Sequence, residues 1–268
     1  MWKLWSFNKR RQIARIEIEG AIDGRTRSRV LKAIQRVEEE QFSALLLRID
    51  SPGGTVVDSH EIYQALKHLQ EKDIPILASF GNISASGGVY IAMGASHIMS
   101  NPGTITGSVG VILRGNNLER LLDKVGISFK VIKSGPYKDI LSFDRELTPS
   151  EQQILQSLID TTYNQFVATI AEARKLSLAT VHAFADGRIF TGEQALELGM
   201  VDRLGTEADA RQWAAELVDL DPDEAKFVEL GKPKKFGLLG RLIPGQQLWQ
   251  RLRFELTTSG IPLWLYWP

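Results

Sequence analysis

Two short apolar runs do most to limit the folds open to this chain. Residues 44–50 read Ala-Leu-Leu-Leu-Arg-Ile-Asp and residues 74–78 read Ile-Pro-Ile-Leu-Ala. Continuous apolar runs of this length read as buried strands. The first breaks at Ser51-Pro52-Gly53-Gly54, and Val57, Ile62, Tyr63, Leu66 and Leu69 then fall at helical spacing. The second leads through Gly81, Asn82, Ser84, Ser86, Gly87 and Gly88 into a small, apolar helical stretch over residues 89–95. Ahead of both, an alternating strand at 15–19 precedes a helix marked by Val30, Leu31, Ile34 and Val37. Strand, helix, strand, helix, strand at these intervals predicts an α/β fold built on a parallel sheet with helices on its faces.

The pattern continues with a strand at 96–99, a Gly-punctuated loop running into a strand over 104–112, a helix through Leu118, Leu121, Leu122 and Val125, and a strand at 129–132. Thr148-Pro149-Ser150-Glu151 is a capping box with Pro at the first helical position, and it predicts a long helix to about Arg174. One apolar stripe, from Ile154 and Leu158 to Phe166 and Ile170, follows that helix. Thr191 to Gln194 opens a shorter helix that stops at Gly199, followed by a strand at 200–204 and a helix at 208–218.

Composition divides the chain into a basic, aromatic segment (1–12), a central domain (13–230) and a basic, Trp-rich tail (231–268). The first segment sets Trp2, Trp5 and Phe7 among Lys3, Lys9, Arg10 and Arg11. The tail carries no acidic residue from 232 to 253 and closes on Ile261-Pro262-Leu263-Trp264-Leu265-Tyr266-Trp267-Pro268. Such mixtures suit a membrane surface, and equally a contact with a neighbouring subunit. No run reaches 18 apolar residues, and the N-terminal segment lacks the order of a signal peptide, so neither a transmembrane helix nor a signal peptide is expected.

Lys plus Arg and Asp plus Glu both number 32, so no excess charge points to nucleic acid. With no cysteine, disulfides, thiol catalysis and Cys-bound zinc are excluded. His60, His68, His97 and His182 form no close pair, and the sequence offers neither a metal site nor a cofactor motif.

The Ser-rich turn carries the chemistry. A serine between a strand and a helix presents its hydroxyl beside free helix N-terminal amides, so Ser86 is a candidate nucleophile; Ser84 and Ser86 also read as helix caps. None of the four histidines is well placed as its base. Lysine can take that role when its environment favours the uncharged amine, and Lys138, in the loop Gly135-Pro136-Tyr137-Lys138-Asp139, is the candidate. Gly53 and Gly54 follow a strand end, where parallel sheets bind ligands, and with Gly87 they could supply oxyanion amides; a plain tight turn is the other reading.

Five motifs then occur in order: Ser51-Pro52-Gly53-Gly54, Ser84-Ala85-Ser86-Gly87-Gly88, Thr106-Gly107-Ser108-Val109-Gly110, Ser134-Gly135-Pro136-Tyr137-Lys138-Asp139 and Gly187-Arg188-Ile189-Phe190-Thr191-Gly192. Together they resemble the signal peptide peptidase A family of serine peptidases, in its short form, over residues 13–230. The resemblance implies a Clp-protease/crotonase-like fold of repeated β-β-α and βαβ units. It implies Ser86 as nucleophile, Lys138 as general base, Ser108 as the hydroxyl orienting the lysine, and Gly53, Gly54 and Gly87 at the oxyanion. It further implies a homo-oligomeric ring or dome acting on cleaved signal peptides and other apolar peptides, with no cofactor. Without a visible anchor, the aromatic and basic ends are the expected means of peripheral membrane contact. A crotonase-like acyl-CoA enzyme and a non-catalytic membrane scaffold are the alternatives; the Ser86 and Lys138 motifs argue against both.

Overall fold

The structure, a computed structural model, describes residues 10–232, 258 and 260–266. The Trp- and Phe-bearing segment at 1–9 and most of the basic tail (233–257) lie outside the described residues.

The chain runs β1 (Arg10–Glu19), α1 (Gly24–Glu39), β2 (Phe42–Ser51), β3 (Gly53–Thr55), α2 (Val56–Gln70), β4 (Ile76–Ala85), α3 (Gly87–Ala92), β5 (His97–Ser100) and β6 (Ile105–Gly107). It continues through α4 (Glu119–Val125), α5 (Pro149–Arg174), α6 (Leu178–His182), β7 (Ile189–Thr191), α7 (Gly192–Glu197), β8 (Arg203–Leu204), α8 (Glu207–Glu216), β9 (Lys226–Leu230) and β10 (Leu263–Leu265). The main sheet has the order β7-β6-β4-β2-β1-β9, with β5 on β4 and β8 on β5. All its pairings are parallel except β6 with β7.

Parallel strands covered on both faces explain the continuous apolar runs. In β2, Leu45, Leu47 and Ile49 face the larger core, which takes in α1, α2, α3 and the C-terminal half of α5; Ala44 and Leu46 face a second core against Ala210, Trp213 and Ala214 of α8. Arg15, buried in β1, is held by Glu207 at 2.7 Å, Glu229 at 2.9 Å and Glu17 at 3.2 Å. A charge so placed is tolerated because its donors are partnered.

β4 is shared between two directions of sheet. Its first half pairs with β5 from Leu77 to Ser79, and its second half pairs with β6 from Ile83 to Ala85. The change of neighbour falls at Gly81-Asn82, where Asp50 accepts from the Ile83 amide at 3.1 Å and from Asn82 Nδ2 at 2.9 Å. A Cβ on Gly81 would lie 2.6 Å from Asp50 Cγ, so the strand can pass that side chain only as glycine.

Several elements differ from the sequence expectations. β1 begins at Arg10, and Met200–Asp202 precede rather than join the two-residue β8. α3 ends at Ala92, and within 104–112 the strand is Ile105–Gly107. No strand forms at 129–132: Phe129 and Val131 are exposed and Ile132 is fully so. The run has strand composition, but among the described residues it pairs with no strand. The stripe on α5 also divides. Phe166, Val167 and Ile170 are buried, whereas Ile154 and Leu158 face outward. Among the described residues, no helix is long and apolar enough to cross a membrane.

Candidate active site

Ser86 stands where β4 hands over to α3, as the N-cap residue of that helix, with φ 52° and ψ −112°. A non-glycine residue there carries roughly 1–3 kcal/mol of strain, and a strained strand-to-helix turn is how α/β folds expose a nucleophile. The turn is held from both sides. The Ser86 amide donates to Gly107 O at 2.8 Å, and the Tyr90 amide donates to Ser86 O at 2.9 Å. Ser86 is 1% exposed, and among the described residues its Oγ has no hydrogen-bond partner. It therefore makes no capping bond, which the reading of Ser86 as a simple cap would require.

The glycines converge on it. Gly53 has φ 100°, and a Cβ there would lie 2.7 Å from the Gly87 amide nitrogen. A Cβ on Gly87 would lie 2.7 Å from Ser59 Oγ and 3.2 Å from the Gly54 nitrogen. Gly87 is also in the first turn of α3, where amides have no intrahelical acceptor. The fold thus brings Gly53, Gly54, Gly87 and Ser86 to one place. Ser108 joins them through the sheet: Ala85 pairs with Gly107, so the residues that follow, Ser86 and Ser108, leave neighbouring strand ends. Ser108 has φ 52° and is nearly buried.

Lys138 is placed differently. It lies exposed in a turn after α4, and no hydrogen bond joins it to Ser86. Its loop is nonetheless firmly braced. Asp139 takes Lys133 Nζ at 2.6 Å and Arg145 Nη2 at 2.9 Å. Arg145 also reaches both oxygens of Glu151, at 2.5 and 2.8 Å, and Glu151 closes the capping box of α5 by accepting from the Thr148 amide at 2.8 Å. Arg145, the largest influence on each, holds the Asp139 and Glu151 carboxyls down to about 2.

Carboxylates with lowered values stabilise the fold above the ordinary carboxylate range and lose that contribution as pH falls from about 4 towards 2. Arg145→Ala is therefore expected to shrink the drop in thermal midpoint between pH 4 and pH 2, measured by circular dichroism.

Two features at the site were not legible beforehand. The first is β10, which pairs antiparallel with β3 so that Trp264 stands opposite Gly54. The second is Tyr90, one turn beyond Ser86, stacked on Trp264 at 3.9 Å between ring centroids. The Tyr90 hydroxyl meets His60 Nδ1 at 2.8 Å and Thr169 Oγ1 at 3.3 Å. Burial pushes the Tyr90 phenol up and the His60 imidazole down. His60 thus serves the aromatic wall of the site rather than the serine.

With this geometry in view, the likenesses to known proteins are informative. Peptidase family S49 matches residues 68–221, and Clp protease matches residues 6–103. A Synechocystis sp. protein named as a protease is 64% identical over 98% of this chain and 99% of its own length. A protein of Enterococcus faecium named signal peptide peptidase SppA is 39% identical over 67% of this chain, which spans about half (52%) of that relative. Among solved structures, a variant of the membrane-bound stomatin-specific protease 1510-N superposes with a TM-score of 0.55 at 17% identity, covering 82% of this chain and 97% of its own. A variant of ClpP1 from Listeria monocytogenes gives 0.52 at 18% identity, covering 73% and 93%. These two establish the ClpP-like fold expected from the sequence.

Proposed function

The chain belongs to peptidase family S49, and from that premise we propose that it is a serine endopeptidase whose nucleophile is Ser86 and whose general base is Lys138 from a neighbouring copy. The observation that carries this reading is the buried, strained Ser86, whose hydroxyl has no partner among the described residues. A serine nucleophile needs a base, and Lys138 is exposed on a braced loop. The apolar surface around that loop supports the same reading: Leu121, Val125, Ile127, Phe129, Val131 and Ile132 are all exposed. So many large apolar side chains exposed in the stretch before Lys138 suit a contact with another copy. The ClpP-like fold supports a ring assembly.

Ser86 Oγ attacks the peptide carbonyl while Lys138 Nζ accepts its proton. The Gly54 and Gly87 amides, with Gly53 shaping the turn, take the oxyanion. Ser108 holds the lysine amine in line. Lys138 then gives the proton to the leaving amine and activates water for deacylation. The substrates are cleaved signal peptides and other apolar peptides, met at a membrane that the basic, aromatic N-terminal segment (1–12) and the basic tail contact peripherally. No cofactor is required.

Fluorophosphonate labelling and cleavage of a signal-peptide-like substrate test the reading. Both are expected for the wild type and absent from Ser86→Ala and Lys138→Ala. Cleavage surviving in either variant would remove that residue from the dyad.

A further inference from the structure

We propose that the segment Leu263–Leu265 is a built-in occupant of the peptide groove, with Trp264 seated as the residue on the acyl side of the bond to be cut. The inference rests on the peptidase reading above and deepens it by naming the favoured substrates, peptides with a large aromatic residue at that position.

The backbone of this segment is bound as an extended peptide would be. On one side β10 pairs antiparallel with β3, and the Tyr266 amide continues the contact by donating to Pro52 O at 2.7 Å. On the other side Leu263 exchanges two hydrogen bonds with Ile112, at 2.9 and 3.0 Å. A strand clasped between two backbones is held by main-chain bonds that read no sequence, so the same clasp accepts other peptides.

The Trp264 carbonyl lies where the chemistry needs it. A Cβ on Gly87 would come within 3.1 Å of Trp264 O as well as 3.2 Å of the Gly54 nitrogen. A Cβ on Gly53 would overlap that oxygen and lie 3.0 Å from its carbon. The carbonyl of one tail residue thus sits among the three glycines assigned to the oxyanion, beside the Ser86 turn.

The side chain fills a made pocket. Trp264 is fully buried, stacked on Tyr90 and 5.0 Å from Phe166 between ring centroids. Among the described residues its indole Nε1 has no hydrogen-bond partner, although a buried indole N–H usually has one. The pocket therefore selects by shape and stacking and leaves the ring replaceable by another aromatic side chain. An occupant tethered in the same chain acts at a millimolar effective concentration, so the tail competes with external peptide.

The test compares the full chain with Trp264→Ala and with a chain ending at Gly260. Both changed chains are expected to take fluorophosphonate and cleave an apolar peptide about tenfold faster or more than the full chain. A synthetic peptide of residues 261–268 should inhibit the shortened chain competitively, and the same peptide with Ala for Trp264 should not. Bound to a Ser86→Ala chain ending at Gly260, the fluorescein-labelled peptide should raise anisotropy without any turnover. Should the shortened chain fail to fold, the full chain still reports: kcat/KM is expected to be at least about tenfold higher for Trp or Phe than for Ala or Asp on the acyl side. Equal rates with and without Trp264, no peptide binding, or a preference for Ala or Asp would overturn the inference. Loss of all labelling and cleavage, with peptide binding intact, would instead overturn the peptidase reading alone.

Discussion

Equal parts of Ser86→Ala and Lys138→Ala subunits, reassembled together, are expected to recover about a quarter of wild-type peptidase activity, because in the proposed dyad a site is whole only when an intact serine meets an intact neighbouring lysine. Alone, each variant is expected to fall by about 10⁴-fold or more in kcat/KM, since members of a nucleophile–base pair act as a unit. The expectation comes from placement: Ser86 Oγ has no partner, and Lys138 lies exposed on a loop that Arg145 fixes to the start of α5. Titrating one variant into the other and assaying an apolar peptide gives the answer. A mixture as inactive as its parts would mean that both groups of a working site come from one chain.

Gly54→Ala should cost the fold rather than the chemistry alone. The new Cβ would overlap Ile22 O and lie 2.6 Å from Ile22 C and 2.7 Å from Ile22 N, all backbone atoms. Those atoms are themselves tied, Ile22 N to Gly53 O at 2.9 Å and Thr55 N to Ile22 O at 3.0 Å. Neither strand can retreat without breaking a bond, so a loss of about 3–5 kcal/mol is expected, in the upper range for single substitutions. For a domain of this size that lowers Tm by roughly 10 °C. Calorimetry of the purified variant decides it. An unchanged Tm would mean that β3 gives way more easily than its bridges imply.

The alternating βαβ core was legible because its information is local. The runs of β2 and β4 alternate between two apolar faces, and α1 and α2 carry their own helical stripes. The turn around Ser86 was legible for the same reason, as small residues between a strand and a helix. Other features were hidden because they depend on partners far along the chain or outside it. Nothing near Leu263 signals that it will lie between Ile112 and Thr55. The run at 129–132 has the composition of a strand, yet it pairs with no strand among the described residues. The stripe of α5 reads as uniform, although only its second half has a core beneath it.

The orphaned hydroxyl of Ser86 has a consequence for the cell that makes this protein. On the proposed reading, a newly synthesised chain would carry an attacking group with no base to arm it. Assembly would then do what a cleavable propeptide does elsewhere, with nothing to remove: such an enzyme would be a zymogen by stoichiometry, latent when dilute and armed once enough copies have met.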